Sequence, residues 1–236
     1  MSKRTTGKPD EVEQALRRGR GYEQAEDLDA DAARHGGAGR DDGNGRRALR
    51  SDAAAAAAAR VTGRIVAQGL ADVSYATADS PFGPLLVAAT KRGLVRVAFA
   101  EEDADATLER LAMRISPRIV EAREPLDAIR RELDEYFDGR RRHFALALDW
   151  TLVGPFGRRV LRVTSQIPYG GVLSYAEVAA EAGSPRGSRA AGNALGANPI
   201  PIVVPCHRVL RSGGALGGYG GGLERKRFLL ELEGAR

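Results

Sequence analysis

The sequence predicts an α+β chain ending in a helix-turn-helix module, and three patterns carry that prediction. Short runs of alternating apolar residues fill positions 73–99, and two stretches with helical apolar spacing occupy 103–137. Two further short helices, separated by a Gly/Pro turn, lie within 174–196. Residues 1–50 precede all of this. They are rich in Gly, Arg, Asp and Glu, hold Tyr22 as their only aromatic residue, and lack the apolar surface needed to offset the entropy of ordering, so a disordered tail is expected.

From Ser51 or Asp52, either of which suits an N-cap, seven alanines (Ala53 to Ala59) run into Arg60, Val61, Ile65 and Val66 and predict an exposed helix. With the tail it makes up an expected N-terminal region of 1–71. Ordered structure is expected from Asp72. Val73, Tyr75 and Thr77 alternate before a Pro/Gly turn at 80–84, and Leu85 to Ala89 and Leu94 to Phe99 flank the Lys91-Arg92-Gly93 turn, which predicts an antiparallel meander. Helices are predicted over Asp103 to Ile115 and Pro125 to Phe137, the second with Leu126, Ile129, Leu133 and Phe137 on one face. Phe144, Leu146 and Leu148 alternate toward Trp150 and predict a further strand, closing a first domain of 72–152 that is large enough for its own core.

The second domain, 153–236, opens with a helix carrying Phe156, Val160, Leu161 and Val163, broken at Ile167 to Gly171. Ser174 followed three residues later by Glu177 is a capping box for a helix to about Ala182, which Gly183 ends. Ser184 to Gly187 turns the chain into a second short helix, Ser188 to about Gly196, dominated by Ala190, Ala191, Gly192, Ala194 and Leu195.

The formal net charge of +5 is unevenly spread: residues 155–236 carry eleven Lys and Arg against five Asp and Glu, while 61–154 carry thirteen against fifteen. That excess suits a phosphate-backbone partner. A single cysteine excludes an intrachain disulfide, and no apolar stretch follows a basic start, so a cytoplasmic protein without a membrane span is expected.

The one cysteine, Cys206, stands directly beside His207, one of three histidines. Most free cysteines are inert buried hydrophobes, yet Pro205 and His207 interrupt the apolar run here, and a strand core gains nothing from an imidazole and a guanidinium at adjacent positions. A free thiol has a pKa of about 8.5, so a nucleophilic role needs a base or a positive charge nearby, and His207 supplies one. A zinc site fails because one cysteine with His35 and His143 far away matches no ligand spacing, and a papain-like protease fails because no histidine follows position 207.

The string Pro205-Cys206-His207-Arg208-Val209 is approached through Asn198, Pro199, Ile200, Pro201 and the run Ile202, Val203, Val204. It is followed by Gly217-Gly218-Tyr219 and a C-terminal helix. This ensemble resembles the O6-alkylguanine-DNA alkyltransferases, the methylated-DNA–protein-cysteine S-methyltransferases, over roughly Asp72 to Glu233. The resemblance implies a ribonuclease-H-like α+β domain followed by a winged helix. It makes Cys206 the alkyl acceptor of a single-turnover DNA repair reaction, with a Cys206, water, His207, Glu233 relay and no cofactor or metal. It assigns Tyr175 to crowding the target phosphate and Arg189 to filling the stack when the base is flipped, with small residues such as Ala190 beside Arg189 admitting a narrow minor groove. Asn198 corresponds to the asparagine that ties the turn before an active-site strand, and Tyr219 to the tyrosine that meets guanine N3. Ser174 and Val209 complete the expected contacts. Gly220 stands where the family usually has serine, so its backbone N–H would face O6, and Gly220-Gly221-Gly222 is expected to be mobile. The expected partner is duplex DNA containing O6-alkylguanine, bound by a monomer. Some relatives carry an N-terminal cysteine-rich zinc domain; this tail has no cysteine, and that activity is not expected. A lesion-binding protein with an unreactive cysteine is the alternative from another class.

Overall fold

The computed structural model describes residues 56–235; the expectations for the tail and for the start of the alanine-rich helix lie outside the described residues. Residues 56–67 are helical and mostly exposed. The ordered sheet follows from the alternation read above. Strands β1 (Val73–Ala78), β2 (Leu85–Thr90) and β3 (Gly93–Ala98) form an antiparallel meander, with Val73 opposite Thr90 at one end of the first pair and Ala78 opposite Leu85 at the other. A short strand that alternation did not reveal, β4 (Ile119–Glu121), adds in parallel to β1, giving the order β3-β2-β1-β4. Three residues are too few to display a period.

Helix α1 (Ala104–Arg114) starts at Asp103, whose carboxylate accepts the Ala106 N–H, and lays Leu111 on the face of the sheet formed by Val73, Ala88 and Val95. The other face meets α2 (Asp127–Phe137) through Leu126, Ile129, Leu133 and Tyr136. The expected helix start at Pro125 is instead a 3-10 turn over Glu124–Leu126. Tyr136, rather than Phe137, is the fully buried aromatic of this face. The strand expected at Phe144 to Leu148 is not formed. Its backbone makes one bridge, Leu148 to Leu94, and Ala145 N–H is held by the buried Glu132 carboxylate at 2.8 Å. A side chain thus takes a donor that a ladder would have used.

In the second half, α3 (Pro155–Ser165) buries Val160, Leu161 and Thr164. Helix α4 (Tyr175–Glu181) begins with both halves of the Ser174/Glu177 capping box in place, Gly183 ends it with φ 79°, and α5 (Ser188–Gly196) follows after a tight turn. Strand β5 (Leu173–Ser174) pairs in parallel with β6 (Val209–Leu210), and α6 (Leu223–Leu232) closes the chain. One hydrophobic core runs from Val87 and Leu133 through Val160 and Val178 to Ile200, Cys206 and Leu229. The sheet and the helical module therefore share an interior, and the cysteine sits within it.

Candidate active site

Between α5 and β6 the backbone makes a sharp turn at Ile202. Ile202 holds φ at 73°, a conformation a β-branched residue adopts only when its surroundings enforce it. Asn198 supplies much of that enforcement. Its Oδ1 accepts the Ile200 N–H at 3.0 Å, and its Nδ2 donates to the Val204 carbonyl at 2.9 Å and to Cys206 Sγ at 3.2 Å. The expected active-site strand is therefore a strained turn followed by a 3-10 turn, Cys206–Arg208. With about three residues per turn, consecutive side chains point roughly 120° apart, so the thiol faces one way while His207 and Arg208 face elsewhere.

What they face is Glu233, at the C-cap of α6. Gly234 with φ 65° ends that helix, its N–H bonding Glu231 O and the Ala235 N–H bonding Leu230 O, which leaves Glu233 turned inward and 5% exposed. Five donors converge on its carboxylate. Oε1 accepts from Tyr136 Oη at 2.6 Å, His207 Nε2 at 2.9 Å and Arg208 Nη2 at 2.8 Å; Oε2 accepts from Arg208 Nε at 2.8 Å and Gly170 N–H at 3.3 Å. Burial alone would raise the pKa of this carboxyl, but the His207, Arg208 and Tyr136 bonds overcome it and lower the pKa to about 2. The same surroundings act on the partners: burial lowers the His207 pKa below its ordinary value despite Glu233, and burial with the Glu233 charge raises that of Tyr136. Since Nε2 donates to a carboxylate, the lone pair of a neutral His207 lies on Nδ1, which is buried without a protein partner.

Cys206 is 6% exposed, and burial pushes its thiol up to about 11 against the pull of the Asn198 amide and the Lys226 ammonium. It opens onto a cavity of about 700 Å³ that also brings together Tyr175, Arg189, Tyr219 and Gly220. The Tyr219 hydroxyl is buried there without a protein partner, while Tyr175 donates to Gly218 O at 3.1 Å. Burial and the nearby Cys206 raise the pKa of both phenols, so both remain donors. The remaining expected residues lie off the cavity wall. Asn198, His207 and Glu233 stand behind the thiol; Ser174 caps α4; Ala190 is exposed on the outer face of α5; and Val209 is a fully buried core residue.

Three residues around Cys206 escaped the sequence reading. Arg208 was part of the quoted motif yet had no part assigned, and Tyr136 reaches Glu233 across 97 positions, which no local pattern signals. Lys226 did leave a signal, because it shares the apolar stripe of α6 with Leu229 and Leu230. It is wholly buried, its Nζ donating to the carbonyls of Val209 (2.6 Å), Leu216 and Gly218 (3.3 Å), and burial lowers its pKa to about 8 against the opposing Cys206 charge. Lys226 thus ties down the residues that lead into Gly220-Gly221-Gly222. Within that loop Gly221 is buried so tightly that a Cβ there would lie 2.7 Å from the Phe99 ring.

Among the described residues, no group of three or more His, Cys, Asp or Glu side chains is placed to hold a metal, and no helix is long and apolar enough to cross a membrane. Two family models match, the 6-O-methylguanine DNA methyltransferase ribonuclease-like domain over residues 73–150 and the DNA binding domain of the same methyltransferase over 155–235. The constitutive methylated-DNA–protein-cysteine methyltransferase of Bacillus subtilis is 38% identical over 67% of this chain and 94% of its own length. A methyltransferase of the same description from Methanosarcina acetivorans is 39% identical over 68% of this chain and 98% of its own. Among solved structures, Mycobacterium tuberculosis OGT in complex with DNA is 38% identical with a TM-score of 0.59, covering 68% of this chain and 92% of that one. The chain belongs to the 6-O-methylguanine DNA methyltransferase family, with a ribonuclease-like α+β domain followed by its DNA-binding domain.

Proposed function

We propose that this protein repairs duplex DNA by moving the alkyl group of O6-alkylguanine onto Cys206 in one irreversible displacement. The observation that carries the reading is a buried thiol held by Asn198, backed by a neutral histidine locked onto Glu233, and open on its other side to a cavity. Glu233 fixes the His207 tautomer, and a water passes the thiol proton to Nδ1. Sulfur attacks the alkyl carbon; the S–C bond forms as the C–O6 bond breaks, and its electron pair returns to guanine. Tyr219 supports that departure by hydrogen bonding to N3, and the Gly220 N–H donates toward O6. The thioether does not revert, so each molecule reacts once, without metal or cofactor.

The buried target base must leave the stack to reach the thiol. Residues 153–236 dock a minor groove as a monomer: Arg189 enters the stack from exposed α5, Tyr175 crowds the phosphate, and Ser174 and Ala190 lie along the backbone path. Residues 72–152 support the site from behind, while 1–71 are dispensable for repair, and the protein works in the cytoplasm. The relatives' printed function and the OGT–DNA structure support DNA as the partner. Titration against a duplex with one O6-methylguanine tests the reading. Lesion loss is expected to stop at about one per protein molecule and to vanish in Cys206→Ala while DNA binding persists. Clearance by Cys206→Ala, or lesion-selective binding without any clearance by the native chain, would overturn it.

A further inference from the structure

The middle of the glycine loop is held by the residue that precedes Lys226 in α6, through an entirely different set of partners. Arg225 Nη1 donates to the Gly221 carbonyl at 2.8 Å, and Nη2 pairs with Glu101 in the β3–α1 loop of the first domain. Its guanidinium lies 4.7 Å from the centre of the Phe99 ring and 5.5 Å from that of Phe82. Phe99 in turn meets the Tyr219 ring edge-on at 6.4 Å, and Gly221 fits between the two rings, a Cβ there falling 2.7 Å from one and 2.8 Å from the other. The platform is itself fixed: Glu102 accepts the Phe99 N–H at 3.1 Å, gives its own N–H to the Phe99 carbonyl at 2.9 Å, and pairs with Arg96. A second tie from β3, Val97 N–H to the Pro199 carbonyl at 2.9 Å, reaches the residue beside Asn198.

We infer that Arg225 is a positioning residue for Tyr219, using the first domain as an abutment: it clamps the Tyr219–Gly222 turn onto Phe99 so that the tyrosine hydroxyl is presented to the cavity. The inference rests on the reading of Tyr219 given above. Glu101 is 64% exposed, so its ion pair contributes little, and the hold comes from the aromatic stack and the Gly221 carbonyl. A lysine keeps the charge but cannot bond the carbonyl and stack at once.

Two readouts on Arg225→Gln and Arg225→Lys, each checked for native thermal unfolding, test the clamp. Hydrogen exchange at the Gly222 amide, which bonds Tyr219 O at 3.0 Å, is expected to speed up in both variants by about tenfold, with the α6 amides unchanged. Single-turnover transfer from a lesion duplex is expected to slow by about tenfold at saturation in Arg225→Gln, less in Arg225→Lys, with DNA affinity within about twofold of native. Arg225→Gln added to Tyr219→Phe is expected to slow transfer no further, because both changes remove one function. Unaltered exchange at Gly222 overturns the clamp whether or not the native chain transfers an alkyl group; failure of native transfer with faster exchange in the variants strikes the functional reading alone. Fully additive slowing in the double variant also overturns it. If Arg225→Gln does not fold, Phe99→Leu, which removes the platform and leaves the arginine, is held to the same outcomes.

Discussion

The two sides of Cys206 are built on opposite principles. Behind it, Glu233 is saturated by Tyr136, His207, Arg208 and Gly170 before any substrate arrives, and His207 Nδ1, the acceptor for the thiol proton, is the atom left without a protein partner. In front, the Tyr219 hydroxyl is buried without a partner, Arg189 is exposed, and the wall mixes four glycines with Tyr175, Tyr219, Arg189 and Arg211. The difference separates what the protein must preorganise, proton removal from a thiol that burial keeps neutral, from what only the substrate can complete. It also predicts that damage behind the thiol costs stability and rate together, whereas damage in front costs rate alone.

The largest effect belongs to Glu233→Gln. It leaves the buried Arg208 uncompensated and frees the His207 tautomer, so we expect loss of about 3–5 kcal/mol of stability and transfer slowed by at least about a hundredfold, read by denaturant unfolding and single-turnover kinetics. A stable, slow variant would mean the two effects are separable and the rear network is not one unit. Acid is the gentler form of the same test. Because the folded pKa of Glu233 is depressed to about 2, its stabilising contribution is present above the ordinary value of 4.5 and is lost as pH falls from there toward 2. On the order of 3 kcal/mol is expected to disappear over that window in the native chain, and clearly less in Glu233→Gln.

On the cavity side, Arg189→Ala is expected to slow transfer from duplex DNA by about tenfold or more while leaving unfolding unchanged and reaction with free O6-benzylguanine within about twofold. Equal slowing with the free base would remove Arg189 from base flipping. Tyr219→Phe is expected to slow transfer by about tenfold and to leave stability equal or slightly higher, since it deletes a buried hydroxyl that lacks a protein partner. The smallest effect belongs to a chain starting at Asp72, expected within about twofold of native rate; a larger loss would give residues 1–71 a part in the reaction.

The same division explains what the sequence reveals. Periodicity and capping exposed the meander, the helix pair and the Ser174 box, because those signals are local. The cavity side was legible through Tyr175, Arg189 and Tyr219 once the Pro205–Val209 string had fixed the register of the resemblance. The rear network was only half legible. His207 was legible from its place beside Cys206 and Glu233 from the resemblance, but Tyr136 joins them from the first domain, and nothing local pairs Arg208 with a carboxylate 25 positions away. Strand β4 and the single bridge at Leu148 were missed or overread because each depends on who sits alongside rather than on the segment itself. The surroundings of the glycine loop were hidden for the same reason: Gly220, Gly221 and Gly222 show only backbone freedom, while the Phe99 and Arg225 contacts at Gly221 and the Lys226 bond to Gly218 come from other segments.

The most direct test of the central claim is intact mass with peptide mapping after the native chain is mixed with excess duplex containing one O6-methylguanine. A gain of about one methylene, confined to the peptide bearing Cys206 and saturating at about one per chain, is the predicted result. A gain mapped to any other residue, or no gain under conditions where the protein binds the lesion, would contradict the account.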